Sequence, residues 1–284
     1  MNVGFIGLGA MGRPMALHLQ AAGHVLHVWA RRLASTEGLP AVVRATPAEI
    51  GAACEVVFTM VTSSADVEAV ALGEQGLIWG MAAGSVLVNC STIAPEAARR
   101  IAGRLGEQGI DMLDAPVSGG PQGAVDATLA IMAGGEAAVL ERVRPLLEKL
   151  GQRIVHVGPN GAGQVAKACN QMIMVAAIEA VAEALRLASA AGVDAGKVRQ
   201  ALAGGSAASR VLEVMGRRMV ERDFAAGIEA RLHHKDLGLV LAAARQSGVP
   251  VPLTACIAQQ LNALMAMGLG KNDTAALLRV LETR

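Results

Sequence analysis

Residues 3–32 read VGFIGLGAMGRPMALHLQAAGHVLHVWARR. A short apolar run leads into the turn Gly7-Leu8-Gly9-Ala10-Met11-Gly12, an amphipathic segment follows, and a second apolar run begins near Val25. In a chain with 33 glycines the GxGxxG spacing alone carries little weight. Its setting between strand and helix carries more. Glycines at these places permit a tight bend, close approach of a ligand to the backbone and close packing of helix on strand. The stretch therefore predicts a β-α-β unit that receives a dinucleotide pyrophosphate at a helix N-terminus.

The second run ends in Ala30-Arg31-Arg32, and no acidic residue occurs before Glu37. A site for NAD usually places Asp or Glu here to accept hydrogen bonds from the ribose hydroxyls, whereas guanidinium groups suit a 2′-phosphate. The expected cofactor set is thus Gly7, Leu8, Gly9, Ala10, Met11, Gly12, Ala30, Arg31 and Arg32, with NADP (NADPH) preferred and NAD possible.

Further along, β-branched runs alternate with helical stretches: VVFTMV, SVLVNC, IDMLDAP and RIVHVG are strand candidates. Such alternation implies a parallel sheet covered by helices on both faces. From about Gly161 the pattern turns to Ala/Leu-rich helical segments over 162–191, 194–203, 208–221, 232–247, 252–267 and 272–282. The fold class expected is α/β, with an N-terminal Rossmann-type doubly wound sheet over residues 1–161. An all-helical C-terminal domain over 162–284 is joined to it by a helix of about thirty residues.

Composition narrows the partners. A net charge of +1 and 2% aromatic residues offer neither a basic field nor stacking platforms for nucleic acid. Charges interrupt every apolar stretch, so no membrane span is expected. The start has no basic leader pattern, and a cytoplasmic address is the expectation. Cys54, Cys90, Cys169 and Cys256 are widely spaced, which fits reduced thiols and no metal site.

Chemistry concentrates in three places. Ser91 and Thr92 follow a strand candidate, at the ligand-facing end of such a sheet. Ser118-Gly119-Gly120 offers a hydroxyl and unhindered backbone N–H groups to a substrate carboxylate. In GQVAKACNQ, Lys167, Asn170 and Gln171 fall on one side of a helix and form a polar patch. Only five of the 25 basic residues are lysines. An ammonium can protonate and stabilise the oxygen of a carbonyl that accepts a hydride, while a neighbouring amide orients the substrate, and Gln171 is expected among the substrate-binding residues. The absence of tyrosine excludes a Tyr proton donor; His233 and His234 stay in competition, and Lys167 could instead snorkel to solvent.

FIGLGAMGRPMA, DAPVSGGPQGA, GAGQVAKACNQ and HHKDL occur in the order seen in the β-hydroxyacid dehydrogenase family, which the chain resembles over essentially its whole length. That family includes 3-hydroxyisobutyrate dehydrogenases, tartronate semialdehyde (2-hydroxy-3-oxopropionate) reductases and glyoxylate/succinic semialdehyde reductases. The resemblance implies Lys167 as catalytic acid/base, Asn170 as a substrate-positioning residue, and Ser118, Gly119 and Gly120 at the substrate carboxylate. It further implies Thr92 near the nicotinamide ribose, Met60 and Val61 near the adenosine side, Lys235 helping to close the cofactor site, and assembly as a homodimer or homotetramer. The activity expected is NADPH-dependent reduction of a small carboxylate-bearing aldehyde to its hydroxyacid. Tartronate semialdehyde ranks first; reduction of glyoxylate or succinic semialdehyde and oxidation of 3-hydroxyisobutyrate are enzymatic alternatives, and a cofactor-binding assembly protein is the non-enzyme one. Imine reductases share the architecture but generally lack the lysine. Four residues at three places depart from the family pattern. His18 stands where Asn is frequent, Asp126-Ala127 replaces a small or Gly-containing pair, and Ile228 stands where several relatives carry an aromatic.

Overall fold

The structure, a computed structural model, describes residues 1–282. Two compact units divide the chain after Lys167.

The first unit opens with β1 (Asn2–Ile6), α1 (Gly12–Ala21), β2 (Val25–Trp29) and the two-residue β3 (Val42–Val43). It continues through α2 (Pro47–Ala53), β4 (Val56–Thr59), α3 (Ser64–Leu72), β5 (Val86–Asn89), α4 (Pro95–Gly106) and β6 (Asp111–Asp114). Then come β7 (Val117–Ser118), α5 (Gly120–Val125), β8 (Leu129–Gly134), α6 (Ala137–Leu147), β9 (Gly151–Gly158) and the start of α7 (Ala162–Ala190). Local signals set the helix starts. Thr46 caps α2 ahead of Pro47, and Ser63 and Asp66 close a reciprocal capping box on α3.

The sheet order is β3-β2-β1-β4-β5-β6-β8-β7, with β9 paired to β8. Strands β1 to β6 are parallel throughout. The order reverses direction between β1 and β4, the switch point at which such sheets bind ligands beyond their carboxyl ends. Side chains alternate along each strand, so two cores form on the two faces. Val3, Phe5, Phe58 and Val88 build one, with the Phe5 and Phe58 rings stacked at 6.0 Å; Ile6, Val57, Leu87 and Ile101 build the other.

The expectation of a parallel sheet needs one correction. Strand β8 runs antiparallel to β6 and β7, because β7 turns back through the glycine-containing segment 119–120 and the short α5 rather than through a full crossover. Parallel pairing resumes between β8 and β9.

The second unit contains the rest of α7, then α8 (Ala195–Leu202), α9 (Arg210–Glu221), α10 (Ala230–Ser247), α11 (Pro252–Ala266) and α12 (Leu277–Val280). Asp194 and Ser209 cap α8 and α9, while Gly248, at φ 68°, ends α10 in the left-handed conformation that glycine tolerates best. Val175, Ile178, Leu185, Leu237, Leu261 and Leu277 fill its core. The helix expected over 272–282 is a 3₁₀ turn at Thr274–Ala276 followed by the single turn of α12, since Asp273 caps that turn instead of entering a helix. Among the described residues, no helix is long and apolar enough to cross a membrane.

Candidate active site

The glycine turn lies at the carboxyl end of β1, and each glycine meets a different demand. Gly7 has φ 98°, and a side chain there would collide with the Met60 carbonyl and crowd Val61. One at Gly12 would strike the Gly7 carbonyl oxygen. At Gly9, by contrast, an added Cβ would enter open space. The turn is therefore closed where it packs on β4 and open where a pyrophosphate would approach. Met11 provides no side-chain cap and the first turn of α1 holds no acidic residue, which leaves its N-terminal amides for an anion. These residues fit a dinucleotide.

Arg31 and Arg32 are exposed just past β2. Arg31 Nη1 lies 3.2 Å from Asp66 Oδ1, while the other oxygen of Asp66 serves the α3 capping box. Arg13 donates to the carbonyls of Ser35 (3.0 Å) and Glu37 (2.8 Å), fixing the loop after the arginine pair against α1.

At the carboxyl ends of β4 and β5 a buried polar network joins the segments expected to meet the cofactor. Asn89 Oδ1 accepts from Thr59 Oγ1 (3.0 Å) and from the Ser91 N–H (3.1 Å), and Ser91 Oγ accepts from the Val61 N–H at 2.8 Å. Gln164, on the first turn of α7, donates Nε2 to Ser91 O (2.9 Å) and accepts from Ile93 N (3.0 Å). Asp114 caps the same turn, accepting from the Gly161 (2.7 Å) and Gln164 (3.0 Å) N–H groups. Burial pushes its carboxyl up while these donors pull the other way.

Three residues beyond Gln164, Lys167 is buried and donates from Nζ to Val117 O at 2.8 Å. The next residue is Ser118, followed by Gly119 (φ 143°) and Gly120 (φ 65°), conformations that favour glycine. The ammonium and the Ser118-Gly119-Gly120 turn are thus brought together. His18, a departure from the family pattern, has its Nε2 at 3.1 Å from Ala124 O and 2.9 Å from Val125 O, tying α1 to the end of α5.

Helix α7 runs unbroken through Lys167, Asn170 and Gln171. Within the second unit Asn170 Nδ2 donates to Gln171 Oε1 (2.8 Å), and Gln171 Nε2 donates to Asp236 Oδ2 (2.5 Å). Asp236 is buried on α10, and Lys235 Nζ forms a 2.9 Å ion pair with its other oxygen that lacks hydrogen-bond geometry. His233 is buried, with Nδ1 2.6 Å from Thr274 Oγ1, and His234 Nε2 is 2.7 Å from Asn262 Oδ1; both have structural partners within their own unit.

Sequence reasoning singled out neither Asp114, Gln164 nor Asp236. The first two lie in the substrate-loop and catalytic-helix motifs and the third in HHKDL, but only the folded chain reveals partners 47 to 73 residues away. Among the described residues no cluster of His, Cys, Asp or Glu could hold a metal ion.

Residues 2–158 match the family model for the NAD binding domain of 6-phosphogluconate dehydrogenase, and residues 161–281 match that for the NAD-binding domain of NADP-dependent 3-hydroxyisobutyrate dehydrogenase. The chain is 46% identical to the 2-hydroxy-3-oxopropionate reductase of Escherichia coli (strain K12) over 284 residues, covering 99% of this chain and 97% of that one. It is 38% identical to the NAD-dependent L-serine dehydrogenase of Pseudomonas aeruginosa, covering 99% and 98%. The solved structure of Mycobacterium tuberculosis 3-hydroxyisobutyrate dehydrogenase with L-serine superposes with a TM-score of 0.90 at 32% identity, covering 99% of each chain. With its glycine turn open at Gly9 and its lysine held beside a serine-glycine loop, the chain belongs to the β-hydroxyacid dehydrogenase family of NAD(P)-dependent enzymes.

Proposed function

We propose that the protein reduces a small carboxylate-bearing aldehyde to its hydroxyacid with NADPH, and that tartronate semialdehyde, giving glycerate, is its substrate. The observation that carries this reading is the buried Lys167 ammonium beside the Ser118-Gly119-Gly120 turn. Identity to the Escherichia coli reductase supports the choice among semialdehydes.

The reduced nicotinamide supplies the hydride. Lys167 gives a proton to the aldehyde oxygen as negative charge develops there, and its amine then takes a proton back from solvent. The Val117 carbonyl holds the ammonium in place, so little reorganisation is needed at that moment. Ser118, Gly119 and Gly120 hold the substrate carboxylate. On the same helix as Lys167, Asn170 orients the substrate, with its amide set by Gln171 and Asp236.

Preference for NADPH rests on Arg31 and Arg32. The ion pair of Arg31 with Asp66 is exposed and contributes only about 0–1 kcal/mol, so a 2′-phosphate can displace it. Assembly as a homodimer or homotetramer belongs to the same reading, on the family resemblance.

The test is turnover of a panel comprising tartronate semialdehyde, glyoxylate, succinic semialdehyde and methylmalonate semialdehyde with NADPH and with NADH, alongside L-serine and 3-hydroxyisobutyrate with NADP and NAD. The highest kcat/KM should fall to tartronate semialdehyde with NADPH. A protein that binds NADPH yet turns over none of them is not the reductase proposed.

A further inference from the structure

The chain beyond β5 poses an accounting problem. Pairing of β5 with β4 and β6 ends at Asn89, and the Cys90 N–H makes the last ladder-like bond, to Thr59 O at 2.8 Å. Ser91 and Ile93 remain buried, at 0% and 2% exposure, so their peptide groups cannot turn to water. Among the described residues, no strand continues alongside to receive them.

Gln164 meets this need with its side chain. A carboxamide carries a donor and an acceptor on one planar group, as a peptide unit does. Here the Nε2 donates to Ser91 O and the Oε1 accepts from Ile93 N, so the glutamine acts as one peptide of a missing neighbouring strand. The side chain is itself 1% exposed. Thr92 stands between the two fixed peptide groups and is the only partly exposed residue of Ser91–Ile93. Its direction is thus set from both sides.

The same residue is fixed at its backbone. The Gln164 N–H donates to Asp114, which also holds Gly161, and Lys167 follows three residues later on the helix. Close packing adds to this: a side chain at Gly163 would strike the carbonyl oxygens of Met132 and Asp114. One buried amide therefore ties the segment carrying Thr92 to the turn carrying Lys167, and through Ser91 Oγ the tie extends to Val61.

We propose that Gln164 is a positioning residue that keeps Thr92, at the nicotinamide end of the cofactor, in register with Lys167. The proposal rests on the role of Lys167 given under Proposed function and on the family resemblance that implies Thr92 near the nicotinamide ribose. Gln164 itself touches neither substrate nor reacting atoms.

The chemistry of the amide dictates the variants. Gln164→Glu keeps the shape and the acceptor but loses the donor and confronts the Ser91 carbonyl with a carboxylate oxygen. Gln164→Met keeps the length and loses both. The purified full chain is titrated calorimetrically with NADPH and NADH, and with 2′,5′-ADP and ADP, fragments that lack the nicotinamide riboside. Turnover of the preferred aldehyde is measured in parallel.

Either variant should weaken the whole cofactor by about tenfold or more while the fragments keep their affinity within about twofold, and kcat should fall by about tenfold or more. A merely structural role would lower the melting temperature without this split. Equal weakening of cofactor and fragment, or unchanged cofactor binding and kcat, overturns the proposal; should Gln164→Met not fold, the isosteric Gln164→Glu decides by the same criteria. The two readings separate cleanly. A wild type inactive on every aldehyde, with Gln164 variants that show the binding split, refutes the proposed reaction and leaves the Gln164 role standing, whereas an active wild type with variants that lack the split removes only Gln164.

Discussion

Lys167 Nζ is hydrogen-bonded at 2.8 Å to the backbone carbonyl of Val117, the residue that immediately precedes Ser118. A backbone acceptor holds an ammonium without neutralising it, in contrast to a carboxylate partner. Lys167→Ala should therefore lower kcat by about 10²–10⁴-fold while the cofactor Kd moves by no more than about threefold. Lys167→Arg should rescue little, since the planar guanidinium cannot reproduce a compact point donor and does not release its proton near neutral pH. Stopped-flow turnover and equilibrium titration separate the two quantities, and equal losses in both would mark the lysine as structural.

Asp236 fixes which way two amides face. Because its carboxylate can only accept when ionised, Gln171 must present Nε2 to it and Oε1 to Asn170, and Asn170 must donate. Asp236→Ala releases both flips and should raise the substrate KM by about tenfold with a smaller effect on kcat, whereas Asp236→Asn, which still offers an acceptor, should retain more affinity. Steady-state kinetics on the preferred aldehyde makes the comparison.

Arg31 pairs with Asp66, and the proposed 2′-phosphate would compete for the same guanidinium. Asp66→Asn keeps an acceptor for the Ser63 cap but frees the guanidinium, so NADPH should bind about two- to fivefold more tightly and NADH should change little. Replacing Arg31 and Arg32 with alanine should weaken NADPH far more than NADH. An unchanged ratio of the two affinities would reject the arginine pair as the selector.

The glycine turn, the six strands with β-branched runs and the long helix were legible in the sequence because each is specified locally. Gly7, Gly9 and Gly12 sit between an apolar strand and an amphipathic helix, and the Ala/Leu pattern from Gly161 gives α7 its 29 residues. Strand β8, LAIMAG, was not legible: its alanines and glycine have weak strand preference, and it is ordered by pairing with β7 and β9. Lys167, Asn170 and Gln171 were readable as one helical face. Asp236, which orients two of them, could not be read, since its role depends on a bond across 65 residues. Nor could the engagement of Arg31 by Asp66, which lies 35 residues on.

Ala127 shows what a departure from pattern costs. It occupies φ 53° just after α5, where the Thr128 N–H closes the helix end on Gly123 O at 2.9 Å. That left-handed position suits glycine, and an alanine there is strained by about 1–2 kcal/mol, offset in part by the greater chain entropy that glycine loses on folding. Ala127→Gly should raise the melting temperature by about 1–3 °C without altering KM. A lower melting temperature in calorimetry would contradict this.

Glu179 gives the fold a pH-dependent weakness. It is buried on α7, neither carboxylate oxygen has a hydrogen-bond partner among the described residues, and burial together with the nearby Glu183 charge raises its pKa to about 7. The unfolded chain releases this proton near the ordinary value of 4.5. Between those values the native state holds a proton that the unfolded state has lost, so stability falls as pH rises through that window and levels off above about 7. Glu179→Gln, neutral at every pH, should flatten this slope. Thermal melts at pH 5 and pH 8 should therefore show the variant gaining on the wild type at the higher pH by at least about 2 °C. If the difference between the two proteins is the same at both values, the carboxyl is ionised in the folded state throughout, and the buried position must be supplying it with a cation or solvent.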